Sequence, residues 1–197
     1  MTSIEKDLAD IRKLTRIALP ESDRYMYRLG AAVYGFASVS SFMAEVICYM
    51  DPKKSRAELE AKMGGQLADA FGNALKKIKH MAPEAFAAGS VAEKLFKKLN
   101  EERSDIIHSY PITSPSGIQI LHRRHNPTQP KGKGKGKGKG KAAASSKPAK
   151  YFEVTDDFLD NFITRLHQVT DGLYSIRSIL RPDIGATVPT PDENCTS

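Results

Sequence analysis

Cysteine is scarce in this chain of 197 residues: Cys48 sits in a helical run and Cys195 in the tail. With no CxxC pair and no cluster at metal-ligand spacing, the sequence supplies neither a disulfide framework nor a metal site. A reduced, cytoplasmic setting is the corresponding expectation. The first residues, Met1-Thr2-Ser3-Ile4-Glu5-Lys6-Asp7, lack the apolar core of a signal peptide. The apolar-rich run 29–44 has no charged residue and holds three serines and two glycines. It falls short of the ~20 residues a membrane span needs. It reads as a helix buried in a protein core, and no membrane partner is expected.

Motifs of the common catalytic classes are missing as well. There is no GxxxxGK[ST] to cradle phosphates, no dinucleotide fingerprint and no HExxH zinc motif. No serine lies in a nucleophile elbow. Neither a cofactor nor a metal is expected.

The chain's basicity is local. Its formal net charge is +7, yet residues 131–150 carry eight lysines and no acid, so the remainder is close to neutral at −1. Alternating Lys-Gly from Lys131 through Lys133, Lys135, Lys137 and Lys139 to Lys141 cannot build a core. The stretch 126–150 is expected to be a disordered insert. It could attract nucleic acid through these lysines independently of sequence, or be a solvated, tolerated loop expansion.

The remaining segments predict an all-α bundle of about five helices with a small β-hairpin before the last. Thr2-x-x-Glu5 is a capping box opening a polar helix to about Ala18, which Pro20 ends. A second helix over 22–50 is apolar on so much of its circumference that it should be central. Ser55-x-x-Glu58 opens a third, with Leu59, Met63, Leu67, Phe71 and Leu75 at steps of four and Gly64-Gly65 as a weak point. Pro83 and Gly89 mark a break, and Ser90-x-x-Glu93 caps a fourth helix that ends near Tyr110-Pro111. Segments 118–123 and 151–154 are strand-like. Thr155 caps the final helix, whose apolar positions Phe158, Phe162, Leu166, Val169, Leu173, Ile176 and Leu180 make the cleanest amphipathic pattern. One domain over 1–180, interrupted by the insert, with a flexible tail at 181–197, is the expected organisation.

One position disturbs this pattern. Ala92, Leu95, Phe96 and Leu99 form a stripe whose next members are Arg103 and Ile106. A guanidinium on an inward face is costly unless a carboxylate or an anion meets it. It would either pair with a structural acid such as Asp105 or Glu45, or face a cleft built for an anion. Five residues on, His108 lies where Pro111 forces the helix to end, free to turn toward a cleft. Imidazole can move protons near neutral pH.

Arg103-Ser104-Asp105-Ile106-Ile107-His108 resembles the Arg-x4–6-His signature of HEPN domains, helical bundles in which the motif closes a late helix. The layout over 22–180 is similar too: a long apolar second helix, a variable third, the motif helix, a strand-like extension and a terminal helix. With Tyr110, the longer Arg-x4-His-x-Tyr form found in HEPN toxins paired with nucleotidyltransferases is also matched. Many members carry Asn, Asp or His directly after the arginine, where this chain has Ser104.

The resemblance implies a metal-independent ribonuclease of toxin, anti-phage or RNA-processing context, with Arg103 and His108 catalytic and Ser104 and Asp105 supporting. Tyr110 becomes a candidate modification site, and an antitoxin or nucleotidyltransferase a candidate partner. Five residues correspond to about 140° of helical rotation, so Arg103 and His108 do not share a face of one regular helix. Either the helix unwinds before His108, or a two-fold homodimer gathers two motifs into a composite site; HEPN domains typically take the second route. The alternative is a catalytically silent HEPN-like module that binds a protein or nucleic acid, in which the two side chains would be buried or paired.

Overall fold

The computed structural model describes residues 9–11, 13, 20, 22–125 and 150–184, excluding the side chain of His125. In chain order the elements are α1 (Asp23–Met50), α2 (Arg56–Glu60), α3 (Gly64–Ile78), α4 (Pro83–Ile107), β1 (Tyr110–Thr113), β2 (Gln119–His125), β3 (Lys150–Val154) and α5 (Asp156–Leu180). They belong to two units, one within 1–27 and 105–158 and one within 28–104 and 159–197, with the boundaries falling inside α1, α4 and α5. The chain is thus mostly helical with one small antiparallel sheet. Of the expected first helix only residues 9–11 and 13 are described, and they are helical; the Lys-Gly repeat and the tail beyond 184 lie outside the described residues. Lys150, expected to end the disordered insert, instead opens β3, where strand pairing holds it opposite His125.

The larger unit is a helical bundle. Most positions of the predicted apolar stripes are its core: Phe36, Val39, Met43 and Ile47 from α1, Leu67, Phe71 and Leu75 from α3, Ala92, Phe96 and Leu99 from α4, and Phe162, Leu166, Val169, Leu173 and Ile176 from α5 are buried. Other stripe positions of this unit are not: Met63, which lies between α2 and α3, is exposed, and Leu95 and Leu180 are half-buried. Phe36 stacks on Phe96 with ring centroids 5.0 Å apart. A bidentate ion pair between Arg165 and Glu102, both largely buried, ties α5 to α4. Arg28 and Asp160 do the same for α1 and α5. By length and composition α1 could cross a membrane; here its apolar face, Ala32, Phe36, Met43, Ala44 and Val46, is buried in protein.

Two helix boundaries differ from the expectation. The third helix is two: α2 ends at Glu60 and α3 restarts at Gly64, where the Gln66 side chain accepts the Met63 backbone N–H and caps the new N-terminus. Ser55 makes no side-chain cap. Instead of breaking a helix, Gly64-Gly65 begins one. The fourth helix begins seven residues before Ser90, at Pro83, whose fixed φ and missing N–H suit a first helical position. Gly89 lies inside it, because a Cβ there would overlap Leu75 and crowd Ile176. Its role is close helix packing. Ser90 turns back to donate to the Phe86 carbonyl at 2.7 Å.

Lys77 Nζ donates to Asp51 Oδ2 at 2.6 Å, and this bond holds the Asp51 carboxyl below its ordinary value. A carboxyl depressed on folding contributes stability that is complete above its unfolded value of about 3.9 and lost as pH falls through the lower folded value. Asp51→Asn is therefore expected to flatten the acid limb of the stability curve below about pH 4, as read by urea denaturation. Parallel acid limbs for wild type and variant would contradict this.

In the smaller unit the predicted hairpin is present as β2–β3, with Leu121 opposite Val154 and Arg124 opposite Tyr151. It is enlarged by β1, giving a three-stranded antiparallel sheet in the order β1-β2-β3. β1 went unseen because Tyr110-Pro111-Ile112-Thr113 is short and contains a proline, which an edge strand tolerates. Thr155 caps α5 as expected, accepting the Phe158 N–H at 3.2 Å. Buried Tyr25 locks the sheet: its hydroxyl donates to the Val154 carbonyl at 2.9 Å and accepts the Leu121 N–H at 3.0 Å. Burial pushes this phenol's pKa up. Tyr25→Phe strands both backbone groups and should lower stability by about 1–3 kcal/mol in chemical denaturation. An unchanged midpoint would show that water replaces the hydroxyl.

Candidate functional site

In the larger unit, Arg103 and Ser104 lie three and four residues after Asn100, the steps that bring helical side chains to one face. They line a cleft of about 1080 Å³ together with Phe36, Lys62 and the first turn of α3, Gly64 to Gln66. Gly64 permits the approach, since a Cβ there would overlap Asn100 Oδ1. The N-terminus of α3, with its partial positive charge, thus forms part of the wall.

Arg103 is exposed, and its Cζ lies 5.8 Å from the centre of the Phe36 ring. This corrects the expectation of an inward-facing guanidinium. The buried stripe continues from Leu99 to Ile106, and the charge that α4 buries is Asp105, 6 % exposed. Neither proposed structural acid pairs with Arg103. Glu45 is held by Arg56 and by the Tyr49 hydroxyl. Two acids lining the cleft are also engaged, Glu60 by Arg56 and Ser41 and Asp69 by Lys97. No carboxylate among the described residues forms an ion pair with Arg103.

In the smaller unit the chain leaves α4 at Ile107, one residue before His108. The turn that follows is held at several points. Ser109 N–H donates to the Ile106 carbonyl at 3.1 Å and Ser109 Oγ to the Asp105 carbonyl at 2.7 Å. Arg123 of β2 spans the rest, with Nε donating to Asp105 Oδ1 at 3.1 Å and Nη1 to the His108 carbonyl at 2.9 Å. Lys150 of β3 completes the cluster, donating to Asp105 Oδ2 at 2.6 Å. Asp105 is therefore an anchor rather than a cleft residue. The His108 side chain is exposed and lines a recess of about 440 Å³ with Ile107, Ser109, Tyr110 and Arg123.

The structure thus joins Arg103 with Ser104 in one cleft, and His108 with Tyr110 in one recess, each within its own unit. It does not place Arg103 and His108 in one pocket of a single unit. The lysines from Lys131 to Lys141 lie outside the described residues. His80 and His167 are exposed and His122 is half-buried. Among the described residues, no three His, Cys, Asp or Glu side chains gather in a group that could hold a metal ion.

Sequence reasoning missed Arg123 and Lys150. They lie 18 and 45 residues from Asp105, and only strand pairing brings them to it. A signal for Arg123 existed: alternation along 119–125 puts it on the same face as Leu121, so a charge there needs a partner. Searches against protein-family models, curated proteins and solved structures give no match to this chain.

Proposed function

We propose that the chain is a metal-independent endoribonuclease of HEPN type, acting in the cytoplasm as a homodimer with a composite site. The observation that carries this reading is the state of two side chains. Glu102 and Asp105 are ion-paired and largely buried, whereas Arg103 and His108 are exposed and line cavities. A purely structural motif would bury or pair the arginine, and a guanidinium left beside a helix N-terminus is suited to an anion.

RNA supplies the nucleophile. His108 accepts the proton of the 2′-hydroxyl; a bond forms between O2′ and phosphorus and the bond to O5′ breaks. The departing 5′-oxygen takes a proton from water, leaving a 5′-hydroxyl and a 2′,3′-cyclic phosphate, and the imidazolium of His108 returns its proton to solvent. Arg103 holds the phosphate and stabilises the charge that develops on it. Two copies of the motif in a two-fold dimer would supply both groups to one phosphate. A toxin, anti-phage or RNA-processing role suits this chemistry. In the first of these, an antitoxin or a nucleotidyltransferase acting on exposed Tyr110 is the fitting partner.

The test is incubation of purified protein with RNA in EDTA, with analysis of the ends. Cleavage leaving 2′,3′-cyclic phosphate is the expected result. Absence of cleavage by a folded dimer on structured and unstructured RNAs would favour the silent binding module.

A further inference from the structure

The sheet of the smaller unit has a face that the proposed chemistry does not use. Side chains alternate along each strand, and the register aligns Tyr110 with His122, His122 with Glu153, and Arg124 with Tyr151. These five therefore share one face. The opposite face carries Arg123, bound to Asp105, and Val154, which is fully buried. Large aromatic rings on a sheet normally go inward, yet Tyr110 is 66 % exposed and Tyr151 55 %. Arg124 and Glu153 are exposed as well, and His122 half-buried.

We infer that this face is a docking platform for single-stranded RNA, which feeds the recess holding His108. Two exposed tyrosines lie on the outer strands with an arginine and a histidine on the strand between, the combination of stacking surfaces and positive charge that binds unpaired bases and their phosphates. Sheet geometry sets the two tyrosines roughly 12 Å apart, so they engage different bases. The sequence that joins these strands favours a polyanion. The strands that carry Arg124 and Tyr151 are joined by residues 126–149, which contain seven lysines and no acid. Glu153 is the one acid on the face and opposes binding. Tyr110 belongs both to the face and to the recess with His108, so a base stacked on it brings the neighbouring phosphate toward the imidazole. A duplex, with its bases already stacked, has no use for such a face.

The platform rests on the RNA reading above, and its test separates the two. Binding of a fluorescent 12-nucleotide RNA by the full chain is measured by anisotropy in EDTA, in a His108→Ala background so that the probe survives. Tyr110→Ala and Tyr151→Ala should each weaken binding roughly 5- to 100-fold, with Tyr→Phe at either position close to the parent. Glu153→Gln should tighten binding, more so at low salt. Equal affinity of both alanine variants and the parent, no binding by the parent, or duplex bound as tightly as single strand would each overturn the platform. Tyrosine-dependent binding by a protein that cleaves nothing would leave the platform standing and remove the nuclease. Cleavage by the wild type, unaffected by either tyrosine substitution, would do the reverse.

Discussion

His108→Ala is expected to lower RNA cleavage by roughly 10²- to 10⁴-fold, the range a positioned general acid–base contributes. The fold should not change, because the imidazole is exposed and what holds this turn is the His108 carbonyl, bonded to Arg123. Alanine keeps that carbonyl, so melting temperatures of variant and wild type should agree. Arg103→Ala should lose about 10²- to 10³-fold by removing the charge on the phosphate, again with little effect on stability. Arg103→Lys should recover only part of it, since an ammonium cannot make the two parallel hydrogen bonds of a guanidinium. If activity survives His108→Ala in a protein free of contaminating nuclease, the imidazole has no part in the reaction. If mixing Arg103→Ala with His108→Ala protein restores some cleavage, the composite dimer site is supported. A wild type shown to be monomeric while fully active would remove that site.

Asp105→Ala is expected to act differently, destabilising the fold by about 3 kcal/mol. The carboxylate is 6 % exposed and bonded to both Arg123 and Lys150. Removing it leaves Arg123, itself largely buried, with no other carboxylate among the described residues paired to it. The Lys150 ammonium is more exposed and can turn to water, so the effect belongs at the low end for a broken buried pair. Activity should fall as well, even where the protein remains folded, because Arg123 is fixed by Asp105 at one end and holds His108 at the other. Asp105→Asn keeps the size but not the charge and should lie between wild type and alanine. Chemical denaturation beside cleavage rates on the folded fraction separates the two effects. A stability loss under about 0.5 kcal/mol would mean that the cluster is solvated.

Much of this arrangement was legible in the residues. The stripes on α1, α3, α4 and α5 follow from the 3.6-residue period, because a helix in water must turn its apolar positions toward one another. Thr155 as a cap is equally local: its hydroxyl meets a backbone N–H three residues on, whatever else the chain does. Glycine was harder to read. In sequence, Gly64 and Gly89 look like breaks, but backbone freedom is only one reason for a glycine. The other, a neighbouring side chain where Cβ would be, depends on helices distant along the chain.

The order of residues alone was enough to read the helical character, most of the core positions, the hairpin and the singular motif from Arg103 to Tyr110. The tertiary structure decided which charges of that motif are committed and which are open. Periodicity put Arg103 on the inward stripe, but a step in a 100° rotation is too coarse to say whether residue 103 or 105 is buried near a helix end. The burial of Asp105 became affordable only through Arg123 and Lys150, delivered by strands that pair after it in the chain. With that charge neutralised inside, Arg103 remains on the surface beside Phe36 and the start of α3. A buried charge is settled by its partners, and long-range pairing supplies them.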